Sequence, residues 1–278
     1  MKLALHFVLA AAGVLCFVLP AAADDLFPDK NLEAVVRKEV FEKRNNTMPI
    51  VEADVVNISQ IKGNGKKIAN LAGLEKCKSL ALIELDSNEI VDLTPLKDLK
   101  QLQSLDLSKN KIESLAPLAE LTGMQYLELE NNKVADVAPL AKMTNMALLD
   151  LTGNQVKDIA PLAAMKKMNA LYLDGNPIQD FKPLANNKGL ERLALRNTGI
   201  TDLSPLAELA EWKFLFLEGN KITDLGVLVT MAKKDYDEPT KRRFAPFWKV
   251  YLKGNPLADA AKAQIEELKK MGGRIFVE

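Results

Sequence analysis

Four carboxylates, Glu84, Asp106, Glu128 and Asp150, recur at intervals of 22 residues, each between two aliphatic neighbours such as Ile83 and Leu85. Acids in an ordered row attract cations, and a close pair can in principle serve as general acid and base. In the same frame the slot then changes character, to Tyr172, Ala194 and Phe216, and later Tyr251. The slot two residues earlier holds Tyr126, Leu148, Arg192 and Phe214, and the slot two residues later holds Arg196. Aromatic residues are only 6% of the chain, so their concentration in these slots is informative. Exposed aromatics and arginines are favoured at protein interfaces. Catalysis has few other footholds. The single histidine is His6, so the rest of the chain has no Ser-His or Cys-His pair and no His-ligated metal site. No glycine-rich phosphate loop precedes a helix.

These residues owe their alignment to a repeat. From Leu102 the chain reads Leu102-x-x-Leu105-x-Leu107-x-x-Asn110-x-Ile112-x-x-Leu115-x-Pro117-Leu118-x-x-Leu121. The Asn slot recurs as Asn88, Asn110, Asn132, Asn154, Asn176, Thr198 and Asn220, and the following aliphatic slot runs from Ile90 to Ile222. A fixed period of this length means a solenoid, in which coils stack and share one core. Leu-x-Leu alternates as a short strand, so the residue between the leucines faces away from the core. An Asn amide both donates and accepts, so a column of them can satisfy backbone groups in the turn after each strand. Asp-x-x-Pro, as in Asp136 to Pro139, suits a tight return turn.

The pattern resembles the leucine-rich repeat family, specifically the 22-residue, proline-containing class of internalin-like bacterial surface and secreted proteins. The resemblance covers residues 58–257, most of the chain. It implies an α/β solenoid, a horseshoe with short parallel strands on its concave face, and protein binding as the usual activity.

Composition is consistent with that reading. The 278 residues are 48% hydrophobic, with 37 basic and 37 acidic side chains, so the basic excess of a nucleic-acid or membrane-surface protein is missing. Residues 1–23 read as a secretory signal peptide: Lys2, then an apolar run to Leu19, then Ala21-Ala22-Ala23 before Asp24. Its removal takes away His6 and Cys16, and leaves no membrane span. Cys16 lacks the Leu-small-small context of lipid attachment. The remaining cysteine, Cys77, shares the frame of Leu99 and Leu121 and is expected in the core.

The ends differ from the middle. In residues 24–57, Leu32, Val35, Val36 and Val40 follow helical spacing, with Asp29 or Asn31 as cap, and this segment is expected to cover the first coil. A strand is expected at Val56 and Ile58, and a worn first repeat follows, with Gly63 and Lys66 in place of Leu and Asn. Asn187 occupies a Leu or Met slot and Thr198 an Asn slot, which predicts a weaker ladder there. Within residues 232–246 the period breaks and a charged insertion enters. Residues 258–278 form the other cap, a helix with Leu257, Ala261, Ile265 and Leu268 on one stripe and a final short strand from Arg274.

The resulting expectation is a secreted or cell-envelope protein that binds another protein on its concave face. Its candidate binding residues are Glu84, Asp106, Glu128, Asp150, Tyr126, Leu148, Tyr172, Arg192, Arg196, Phe214, Phe216 and Tyr251. No cofactor, metal or nucleic acid is expected. A carboxylate-dependent glycan hydrolase, a glycan binder that stacks sugars on the aromatics, and an envelope spacer remain alternatives. So does burial of Phe214 and Phe216 under the insertion.

Overall fold

The computed structural model describes residues 25–209, 211–237 and 248–278. The signal-peptide expectation for residues 1–23 lies outside the described residues.

Ten short strands form one parallel sheet in sequence order. They are β1 (Gln60–Lys62), β2 (Leu82–Glu84), β3 (Ser104–Asp106), β4 (Tyr126–Glu128) and β5 (Leu148–Asp150). Then come β6 (Ala170–Tyr172), β7 (Arg192–Ala194), β8 (Phe214–Phe216), β9 (Lys249–Tyr251) and β10 (Arg274–Phe276). Strands β1 to β9 bury their middle residue and turn the two flanking ones outward, except where those are alanine, and the last strand, β10, leaves its middle residue Ile275 half-buried. After each of β1 to β9 the chain turns through a residue of positive φ, among them Ser87 (57°), Lys109 (55°), Asn131 (55°) and Gly153 (67°). It returns through a 3-10 turn such as Ala116–Leu118, with Pro at its start. The core is a ribbon of leucines, isoleucines and methionines, including Ile83, Leu105, Leu127, Leu149 and Leu171, each 0–1% exposed. Burial of each such side chain contributes about 2 kcal/mol against leaving it in water.

The asparagines tie the coils. Asn132 Nδ2 donates to the carbonyls of Leu107 (2.9 Å) and Leu129 (3.1 Å), and its Oδ1 accepts the Ile112 N–H (3.0 Å). The column is buried, so these bonds replace water for groups that could not otherwise be satisfied.

Helices close both ends. Helix α1 (Lys30–Glu39) lies against β1, with Leu32, Val35 and Val36 buried. Asp29 caps it through Oδ1 to the N–H groups of Asn31 and Leu32, while Oδ2 accepts from Ala69 and Asn70 in the first coil. These four bonds hold the Asp29 carboxyl below its ordinary value against the opposing effect of burial. The expected strand at Val56 and Ile58 is not formed. A short helix, α2 (Glu52–Val55), precedes them, and the strand begins at Gln60 because Ile61, not Ile58, stands one repeat before Ile83 and pairs with it.

The break in the period also differs from expectation. Its first residues, 232–236, belong to helix α3 (Gly226–Tyr236), which buries Leu228, Val229, Met231 and Ala232. The start of the charged insertion is thus helical, because its apolar residues continue at helical spacing from the preceding repeat. The rest of the insertion, residues 238–246, lies outside the described residues, and with it the question of whether it covers Phe214 and Phe216. Helix α4 (Asp259–Lys270) packs on α3 and β10, with Ala261 and Leu268 buried. Among the described residues no helix is long and apolar enough to cross a membrane.

Candidate functional site

Strand pairing brings the expected residues into rows. Glu84 pairs with Asp106, Asp106 with Glu128, and Glu128 with Asp150, so the four carboxylates occupy adjacent positions on one face. Neighbouring strands are about 4.8 Å apart, and like charges at that spacing repel. Burial, then repulsion from Asp106 and Asp150, pushes the Glu128 carboxyl above its ordinary value. Burial likewise raises Asp150, although the Thr152 N–H bonds its Oδ1 (2.8 Å) and pulls the other way. The row starts with a cation absent from the sequence-based set: Lys62 pairs with Glu84 in register and forms an ion pair at 2.8 Å. One further step of 22 back from Glu84 would have found it. The acids stand in a line rather than around a point, and among the described residues no three of them could hold a metal ion.

Tyr172 follows Asp150 in register, then Ala194, Phe216 and Tyr251. The rings beyond Ala194 stack. Phe214 and Phe216 on one strand lie 6.2 Å apart, Phe216 and Tyr251 4.9 Å, and Tyr251 and Phe276 4.7 Å, all within 13° of parallel. Phe276 was not in the expected set, because it pairs with Tyr251 across 25 residues rather than 22. Arg192 lies over the Phe214 ring at 5.2 Å, Lys249 over the same ring at 5.4 Å, and Arg196 over Phe216 at 4.1 Å. Arg196 is also paired with Asp174 (2.7 Å) and Glu218 (3.1 Å), so its charge is largely spent within the sheet. Arg192 is exposed, and among the described residues it forms no such pair. Ala194 is fully buried and Ala170 nearly so, since a methyl group between longer neighbours is covered by them. Tyr126 stands out at 47% exposure, in register between Ser104 and the half-buried Leu148.

The face therefore has two halves. Strands β2 to β5 carry carboxylates with Tyr126 and Leu148 beside them. Strands β6 to β10 carry Tyr172, the ring stack and the exposed Arg192.

This geometry has known counterparts. The family profile for leucine-rich repeats (two copies) matches residues 100–142. The chain has the leucine-rich repeat fold, and its 22-residue coils are similar to those of internalins. It is similar to the crystal structure of an internalin (InlF) from Listeria monocytogenes, with 26% identity over 94% of this chain and 78% of that one, at a TM-score of 0.72. Internalin C2 (InlC2) of the same organism is 27% identical over 91% of this chain and 95% of that one, at 0.62. A Leptospira interrogans leucine-rich repeat protein, 19% identical over 74% and 57% of the two chains at 0.58, shares the fold. No curated protein matches the sequence.

Proposed function

We propose that the protein binds another protein on its concave face, gripping it with β6 to β10 and orienting it with the carboxylate row. The observation that carries this reading is the change of chemistry at the boundary between Asp150 and Tyr172, within one continuous sheet. Burial is the main cause that raises Glu128 and Asp150; a partner with a basic region would offset the added repulsion, from Asp106 and Asp150 on Glu128 and from Glu130 and Asp174 on Asp150, and complementary charge speeds encounter and sets orientation. Apolar ring edges and the Arg192 guanidinium would supply most of the affinity. The binding set is Tyr126, Leu148, Tyr172, Arg192, Phe214, Phe216 and Tyr251, with Glu84, Asp106, Glu128 and Asp150 for steering. Arg196 acts by holding Phe216 in place.

Sugar stacking has less support than protein binding. The faces of Phe216 and Tyr251 are turned to neighbouring rings at 4.9 and 4.7 Å, which leaves edges rather than faces for a sugar. We further read residues 1–23 as a signal for export, residues 24–57 and 258–278 as caps, and the mature chain as secreted or held in the cell envelope.

Substituting Tyr172, Phe214 and Phe216 together by Ala tests the concave site. With the fold intact by circular dichroism, affinity for a partner captured from the native compartment is expected to fall at least a hundredfold. Unchanged affinity refutes the reading. A turnover screen on glycans, with a Glu128→Gln/Asp150→Asn variant as control, separates it from the enzyme alternative.

A further inference from the structure

Along the flank that follows the strands, a regular coil is tied to the next by two bonds through one residue. The Ile112 N–H donates to Asn132 Oδ1 (3.0 Å), and the Ile112 carbonyl accepts from the Lys133 N–H (2.9 Å). Val134 repeats this with Asn154 (2.9 Å) and Gln155 (2.8 Å). Ile178 has neither tie. Thr198 stands where the next Asn would, and its hydroxyl donates to the Leu195 carbonyl (2.8 Å). The Gly199 N–H, which would reach Ile178, donates instead to Asn220 Oδ1 (2.8 Å). The Ile178 N–H turns back to the Asn176 carbonyl (3.0 Å). Among the described residues the Ile178 carbonyl accepts no hydrogen bond.

A cleft of about 470 Å³ opens at this seam. That volume lies in the range of ligand sites, roughly 300–1,000 Å³. Ile178, Phe181, Ile200 and Pro205 supply its apolar walls. Phe181 is half-buried, whereas Leu93, Leu115, Val137 and Ile159 in the same slot of earlier coils are buried. Asp180 and Asp202 stand at its rim. Asp180 uses Oδ1 to accept the Lys182 N–H (2.9 Å), and among the described residues its Oδ2 accepts no hydrogen bond. Asp202 accepts the Ser204 N–H (2.8 Å) and also the Ser204 hydroxyl. Lys182 lines the cleft too, so two carboxylates face one ammonium and the balance is negative.

We propose that this cleft is a second binding site, independent of the concave face, which takes an arginine side chain presented on an extended segment of a partner protein. Among the described residues the Ile178 carbonyl and Asp180 Oδ2 accept no hydrogen bond, and the carboxylates of the lining outnumber its one ammonium. A guanidinium brings five donors in a planar fork and stacks on an aromatic face, here Phe181. Its methylene stem lies on Ile200 and Pro205, as long cationic side chains do on apolar surface. A backbone N–H of the extended segment then donates to the Ile178 carbonyl, in place of the missing Gly199 bond.

The test uses the full chain after signal removal and an acetylated, amidated pentapeptide with arginine at its centre and valine on either side. The amides of Gln179, Lys182, Thr201 and Ser204 are expected to shift in ¹⁵N–¹H spectra with this peptide, and not with one carrying norleucine in place of arginine. Asp180→Asn/Asp202→Asn keeps the Oδ1 that accepts the backbone N–H in each turn and is expected to weaken binding at least tenfold. Argininamide, which lacks the flanking chain, is expected to bind at least tenfold more weakly than the peptide. The concave Tyr172, Phe214 and Phe216 variant is expected to bind the peptide normally, and its failure to do so would place the peptide on the other face. Equal shifts with both peptides, no shifts at the cleft, or an unchanged affinity in the Asp variant overturns the proposal.

Discussion

Glu128 shows how a position in the repeat becomes a chemical property. On an isolated strand it would be an ordinary surface glutamate. Between Asp106 and Asp150, and partly withdrawn from water, its carboxyl sits above the ordinary 4.5. An acid with a raised folded value binds protons more readily folded than unfolded, so its charge costs stability at neutral pH. Glu128→Gln is therefore expected to stabilise the protein at about pH 7, by roughly a few tenths of a kcal/mol for a solvent-screened group. The advantage shrinks as pH falls through the raised folded value toward 4.5, where both states become protonated. Urea unfolding of the two proteins across that range checks the sign. The same protonation removes the charge that would steer a basic partner, so association is expected to slow over the same interval.

At the scale of the element, each strand-turn unit depends on its asparagine. Asn132→Ala leaves the Ile112 N–H and the carbonyls of Leu107 and Leu129 without their side-chain partner in a dry turn. The expected cost is about 3 kcal/mol, read from the urea midpoint at constant slope. Thr198→Asn is the reverse experiment. The new amide would reach the Ile178 N–H and the Leu173 carbonyl, by analogy with Asn132, and is expected to add about 1 kcal/mol. A loss of stability would mean that the Thr198 turn is fitted to its hydroxyl. Asn187 raises the same issue in the core: its Nδ2 donates to the carbonyls of Leu162 and Met165 (both 3.1 Å), while Oδ1 is buried without a partner.

At the scale of the whole molecule, a solenoid is stable through the sum of its coils and the seams between them. The seam at Ile178 lacks both flank ties, so the coils beyond it are expected to open more readily than those between Ile90 and Val156. Native-state hydrogen exchange should show lower protection for amides of β7 and β8 than for those of β3 to β5. Equal protection would show that the shared apolar core alone sets cooperativity. The same seam is where a partner could act on stability, since an occupant bound there would replace the missing bonds and raise protection beyond it.

The concave rows were legible from the chain alone because two short-range rules produce them. Side chains alternate along a strand, and equal coils place each residue beside the one 22 positions away. Glu84, Asp106, Glu128 and Asp150 needed nothing more, and neither did the Asn column. The folded structure decided matters that depend on what each group meets across space. It buried Ala194 between longer neighbours, paired Arg196 with Asp174 and Glu218, and joined Phe276 to the ring stack across an unequal coil. It also began the first strand at Gln60 and opened the flank at Ile178. Periodicity is a property of spacing, so the sequence carries it directly. A hydrogen bond is a choice among competing partners, and the Gly199 N–H chose Asn220 over Ile178 only once three coils were stacked.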